Sequence, residues 1–154
     1  MKFRITGLPA NEFQYWFDLD DAELAQRHAV RHTVDRKPGF PCRISLTDAE
    51  IGDEVLLINH EHLAVASPYR SRHAIYIRAN EQTFDALDHV PAMLRSRALS
   101  LRGFDESGMM TAADVVDGSE LEAAIAEMFA DPGTRYLHEH FAKPGCYAAR
   151  IERA

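Results

Sequence analysis

Histidine is the one side chain whose ordinary pKa sits close to neutrality, so it can serve as proton donor, proton acceptor or metal ligand. Four of the eight histidines in this chain fall in two copies of one tripeptide, His60-Glu61-His62 and His138-Glu139-His140. In an extended strand, residues i and i+2 share a face and stand about 6.5 Å apart along the strand. Each tripeptide therefore sets two imidazoles on one face and a carboxylate on the other. The repetition predicts that the two strands are neighbours and share a cavity. His62 and His140 are the candidate acid–base residues, each near a strand end and a proline-containing loop where sites tend to gather. The competing reading makes all four plain strand histidines, partly buried and hydrogen-bonded.

Paired imidazoles also suit zinc, copper, nickel or iron. The H-x-H spacing resembles the metal motif of cupin barrels, which needs a glutamate a few residues later and a distant third histidine. Here His62 is followed by Leu63-Ala64-Val65-Ala66-Ser67-Pro68 and His140 by Phe141-Ala142-Lys143-Pro144-Gly145, so the match ends with the tripeptide. No metal site and no cofactor is assigned.

A Cys–His pair is a nucleophile arrangement, and Cys146 lies close in sequence to His138 and His140. A four-residue turn that pairs Phe141 with Cys146 sets His140 opposite Tyr147, Leu137 opposite Arg150 and Arg135 opposite Glu152. That register leaves Cys146 on the face of Glu139, away from the imidazoles, unless a one-residue bulge reverses it. Arginine forks suit carboxylate and phosphate. Tyr69-Arg70-Ser71-Arg72-His73 follows Pro68, Arg43 follows Cys42, and Arg95, Arg97 and Arg102 lie near a third loop boundary. Gathered at loop–strand junctions, these arginines would make a positive pocket; scattered, they would pair with the 24 acidic residues. Arg43, Tyr69, Arg70 and Cys146 are the candidate ligand contacts. The chain has no glycine-rich phosphate loop, dinucleotide fingerprint or nucleophile elbow.

The elements that would position these residues read as follows. Phe3 to Leu8 alternates as a first strand. Pro9 opens a short helix with a Phe13, Trp16, Phe17 stripe, and Asp20 with Glu23 forms a capping box for a second through Arg27. Ala29 to Asp35 and Cys42 to Leu46 read as strands, and Thr47 to Asp53 as a polar turn. Glu54 to His62 carries the continuous apolar run of a strand covered on both faces. His73 to Ala79 is another strand, and Pro91 begins a helix carrying Met93 and Leu94. Ala98 to Phe104 and Met109 to Val116 form a hairpin. Ser119 and Glu122 cap a helix with a Leu121, Ala124, Ile125, Met128, Phe129 stripe, stopped by Asp131-Pro132-Gly133. Thr134 to Phe141 and Cys146 to Arg153 make a last hairpin around Pro144-Gly145. The class is α+β: a mostly antiparallel, curved or barrel-like sheet of about eight strands with three or four helices.

With 154 residues, 46% hydrophobic and 27% charged, one domain over 1–154 is expected. The net charge of −7 argues against a nucleic-acid partner, which needs a basic patch. No run approaches the ~18 apolar residues of a membrane helix. Nothing at the N-terminus resembles a signal peptide. No membrane partner is expected, and the localisation is expected to be cytoplasmic, with Cys42 and Cys146 reduced.

Several separated motifs carry a family resemblance. They are Lys37-Pro38-Gly39-Phe40-Pro41-Cys42-Arg43-Ile44-Ser45-Leu46, Leu56-Leu57-Ile58-Asn59-His60-Glu61-His62, Ser67-Pro68-Tyr69-Arg70-Ser71, and Leu137-His138-Glu139-His140 through Pro144-Gly145-Cys146-Tyr147-Ala148-Ala149-Arg150. In this order, across nearly the whole chain, they resemble a bacterial family of uncharacterised proteins, the domain-of-unknown-function family 1203. The resemblance implies a stand-alone bacterial single-domain protein and supplies no activity or catalytic residue. Three functions follow from the residues. The first is binding of a small anionic metabolite in a His/Arg-lined pocket. The second is a small-molecule enzyme using His62 and His140 as acid/base or as metal ligands. The third is an interaction protein without a chemical site. Oligomeric state is left open.

Overall fold

The computed structural model describes all 154 residues, Met1–Ala154. Eleven strands form two open sheets: β1 (Phe3–Thr6), β2 (Val30–Thr33), β3 (Pro41–Cys42), β4 (Thr47–Asp48), β5 (Glu54–Leu63), β6 (Ser71–Arg78), β7 (Asp85–Leu87), β8 (Ala98–Phe104), β9 (Met110–Asp117), β10 (Tyr136–Phe141) and β11 (Tyr147–Arg153). The larger sheet has the order β7-β1-β11-β10-β8-β9 and the smaller β2-β5-β6-β3-β4. Every pairing is antiparallel except β3 with β6. The α+β class and the antiparallel bias hold. The expected count of about eight strands and the barrel-like closure do not. β3, β4 and β7 have two or three residues each, too few to show an alternation. Each sheet also keeps two unpaired edges, where a barrel has none.

Side-chain alternation explains why β5 reads as a continuous apolar run. Leu56 and Ile58 join Ile75 and Ile77 of β6, Ile44 and Tyr147 in a core between the sheets, covered by Phe13, Trp16 and Leu24. Val55 points the other way, onto Val34, Phe40, Cys42 and Ala49. The larger sheet presents its second face, with Ile5, Leu99, Leu101, Leu137, Phe141 and Ile151, to Met93, Leu94, Leu121, Ile125, Met128 and Phe129. Burying each of those large side chains is worth about 1.5–3 kcal/mol, which fixes the helical layer on that face.

The four helices are α1 (Ala10–Phe13), α2 (Asp21–Gln26), α3 (Ala92–Arg95) and α4 (Leu121–Met128). The Asp20–Glu23 capping box forms, with both hydrogen bonds at 2.8 Å. The Ser119 cap does not. The Ser119 amide and hydroxyl both donate to Asp117 Oδ1, at 2.9 and 2.6 Å, and a 3-10 turn over Gly118–Glu120 precedes α4. Asp117 comes two residues earlier and captures the first free amide, as an Asx turn does.

The last hairpin closes as expected, with the Phe141 amide donating to Cys146 O at 2.9 Å and Gly145 at φ +78° in the turn. Its register then shifts. His140 faces Tyr147, but Glu139 faces Ala149, His138 faces Arg150 and Leu137 faces Ile151, so Ala148 is an extra residue between His140 and Glu139. Tyr136, not Arg135, consequently faces Glu152, and Glu152 pairs with Arg150 on its own strand at 2.8 Å. Gly7, where β1 ends, allows the close approach that seats the Arg43 segment. A Cβ there would lie 2.1 Å from the Ile44 carbonyl oxygen.

Candidate functional site

Two neighbouring arrangements collect the chemistry-bearing residues. The first is a cleft of about 560 Å³ between the β3 and β6 region of the smaller sheet and the β10–β11 turn. Its floor is set by Arg43. The Arg43 amide donates to Tyr76 O at 3.0 Å, and its carbonyl accepts from the Leu8 amide at 2.8 Å, which pins the backbone between the sheets. Its side chain is 1% exposed. The guanidinium donates to Tyr147 O at 2.8 Å, to Pro41 O and to Cys146 Sγ at 2.9 Å, and lies 4.8 Å from the centre of the Phe141 ring. Burial works against its charge, and the sulfurs of Cys146 and Cys42 work for it. It has no carboxylate partner.

Arg97 also lies over the Phe141 ring, at 5.2 Å, and is paired with Asp48, its Nη1 lying 3.0 Å from a carboxylate oxygen. His73, Tyr76, Leu57 and the exposed Lys143 also line the cleft. Every charged residue in the lining is a cation, and none is an Asp or Glu. Cys146 is 7% exposed at the wall and Cys42 is fully buried; both thiols are free. Burial pushes the Cys42 thiol up to about 12.

The second arrangement is a cluster of imidazoles where β5 crosses β10 and β11. The His62 ring lies 5.0 Å from His140 and 6.2 Å from His138, centre to centre. Tyr147 stacks on His62 at 5.3 Å and meets His138 and His140 edge-on at 5.0 and 5.9 Å. His62 of the first tripeptide therefore meets both histidines of the second, but across the two sheets and not as neighbours within one. His60 lies further along the strand, 6.4 Å from Tyr147 and edge-on to Phe13 at 5.3 Å. His138 and His140 are buried, and His62 is half-buried. Removal from water is the main cause that lowers all three: His62 to about 4, His138 to about 2 and His140 to about 3. Nearby positive groups, among them Arg102, add to it. All three rings are neutral at pH 7. The Nδ1 atoms of His62 and His138 are buried without a hydrogen-bond partner. No three His, Cys, Asp or Glu side chains are arranged to hold a metal ion.

Of the sequence candidates, Arg43 and Cys146 come together in the cleft, and His62 and His140 in the cluster. Neither Tyr69 nor Arg70 lines the cleft, and of the two only the Tyr69 carbonyl is linked to the cluster, through Ser71 Oγ to His62. Arg70 grips Glu61 through two bonds of 3.0 and 3.1 Å, and Tyr69 is partly exposed with its ring edge-on to Phe104 at 6.2 Å. Lys143, Tyr76 and Tyr147 were not among those candidates, while Arg97 and Arg102 were grouped only as loop-boundary arginines and His138 only as a member of the repeated tripeptide. Lys143 had only its place beside a Pro-Gly turn to mark it, Tyr147 only its register opposite His140, and Tyr76 no signal at all.

The fold and the two clusters define a two-sheet α+β protein with a cationic cleft, and no helix is long and apolar enough to cross a membrane. The family model described as "Protein of unknown function (DUF1203)" matches residues 39–153, and the chain belongs to that family. No curated protein and no solved structure matches it.

Proposed function

We propose that the protein binds a small organic anion in the cleft formed by Arg43, Arg97 and Lys143. One observation carries this reading: in a chain of net charge −7, every charged side chain lining the cleft is a cation. Concave sites that combine apolar walls with a few convergent polar groups are the usual form of small-ligand sites. Here Leu57, Tyr76, Phe141 and Pro144 supply the apolar walls. A carboxylate would meet Lys143 and the outer edge of Arg97, while its carbon skeleton lay against Phe141 and Tyr76.

Isothermal titration of a panel of small mono- and dicarboxylates against the full chain tests the reading. At least one member should bind, more weakly as salt is raised. Lys143→Met, at an exposed turn position, should weaken it by about fivefold to tenfold. Neutral amide analogues that bind as well as the acids, or a Lys143→Met variant with unchanged affinity, would overturn it.

A further inference from the structure

The hydrogen bonds around the imidazole cluster fix which ring nitrogen carries the proton. His140 Nδ1 lies 3.0 Å from Gly145 O. A carbonyl oxygen can only accept, so Nδ1 is the N–H, and the neutral ring keeps its lone pair on Nε2. Ser71 Oγ lies 2.9 Å from Tyr69 O and 3.1 Å from His62 Nε2. The hydroxyl has one proton and gives it to the carbonyl, so it accepts from His62 Nε2–H. His62 therefore keeps its lone pair on Nδ1, the atom that is buried and unpartnered. Beside these rings stands a cation with no acid. Arg102, directly opposite His138 on β8, is half-buried, and its one hydrogen bond goes to Ser100 Oγ at 3.1 Å. Arg150 flanks His138 on the other side, but its charge is met by Glu152 at 2.8 Å and its guanidinium lies over Tyr136 at 4.0 Å.

We propose that His62, His138, His140 and Arg102 form a second binding site, for a small oxyanion that still carries a hydroxyl proton, of which hydrogen phosphate is the simplest. Arg102 supplies the countercharge. The lone pair of His62 Nδ1, buried without a partner, calls for a ligand that donates. A fully ionised anion such as sulfate meets Arg102 equally well but sets a lone pair against that of His62 Nδ1, which leaves this buried acceptor unpaired. A metal cation is opposed by the guanidiniums on both sides of His138. The half-buried His62 is the member of the cluster that reaches the surface and marks the way in. The site is separate from the cleft, which none of these four residues lines.

Long-range proton–nitrogen NMR of the histidine rings in the full chain reads the site directly. Inorganic phosphate near neutral pH should shift the His62, His138 and His140 signals saturably. Sulfate at matched ionic strength should bind about tenfold or more weakly. Arg102→Gln, at a half-exposed position, should remove the phosphate response, and Lys143→Met should leave it intact. Equal binding of sulfate, absence of any ring shift with phosphate, or an unchanged response in Arg102→Gln would each overturn the proposal. A response lost in Lys143→Met but kept in Arg102→Gln would place phosphate in the cleft instead and would equally defeat it. The anion-cleft reading stands or falls separately, on the carboxylate titration.

Discussion

Glu139 offers the most demanding test of the structure. It is 0% exposed, flanked on its own face by Leu101 of β8 and Ala149 of β11, and both carboxyl oxygens lack a partner. Burial alone raises its pKa from 4.5 to about 8. At about 1.4 kcal/mol per pKa unit, ionising it in the folded chain costs about 5 kcal/mol more than in the unfolded chain. Because the folded value is the higher one, the protonated acid stabilises the fold fully below the unfolded value. That stability is lost as pH rises through the folded value. Between pH 6 and pH 8 the loss attributable to Glu139 is about 2 kcal/mol. Glu139→Gln keeps the shape and removes the titration. Urea unfolding of both proteins at the two pH values isolates the effect, because contributions from the histidines cancel in the difference. The variant should gain about 2 kcal/mol over the wild type between pH 6 and pH 8, worth about 4–8 °C in Tm for a chain of this size. A difference that stays constant across that range would show that Glu139 is ionised or solvated in the fold, and the burial argument would fail.

The remaining expectations concern the same region and its supports. His138 and His140, lowered to about 2 and 3, stay neutral in the fold while the unfolded chain takes up protons below 6.5. Stability should therefore fall on acidification, by about 2 kcal/mol for each at pH 5; a His138 ring that titrates near 6.5 in the folded protein by NMR would refute this. Gly7→Ala should destabilise by about 1–3 kcal/mol, because its Cβ meets the Ile44 carbonyl oxygen, and a chemical melt unchanged from wild type would show that the Arg43 segment can yield. Iodoacetamide under native conditions should modify Cys146 at the cleft wall before the fully buried Cys42, with both reacting once the chain is unfolded; mass mapping of the first alkylated site decides it.

Much of the fold was legible because its pattern is local. The Asp20–Glu23 box, the α4 stripe and the Pro144-Gly145 turn each depend on residues within a few positions of one another. Pro91 likewise starts α3, and Met93 and Leu94 are buried in the main core as read. What escaped was set at a distance. The two-residue strand β3 exists because Cys42 pairs in parallel with Tyr76, and no local alternation announces that. Arg70 read as a pocket residue because it follows Pro68 in a loop. The turn between β5 and β6 instead brings it back beside Glu61, nine positions earlier, where a bidentate pair forms. Whether an arginine is free or paired is a property of the fold, not of its neighbours in sequence.

The same limit applies to the site, and the bulge at Ala148 shows why. Strict pairing from the turn would have set His138 opposite Ala149, a small neutral neighbour. One extra residue slides Arg150 into that place, so His138 lies between Arg102 on β8 and Arg150 on β11. Burial, with the two flanking guanidiniums adding to it, holds the ring neutral well below neutral pH. The bulge also leaves Tyr147 opposite His140 while its carbonyl accepts from Arg43. Three successive residues then serve both arrangements. Gly145 O receives the His140 proton, Cys146 Sγ and Tyr147 O receive the Arg43 guanidinium, and the Tyr147 ring packs against all three imidazoles. The repeated tripeptide identified the imidazoles, but it is the irregular residue beside them, silent in the sequence, that brings Arg150 opposite His138.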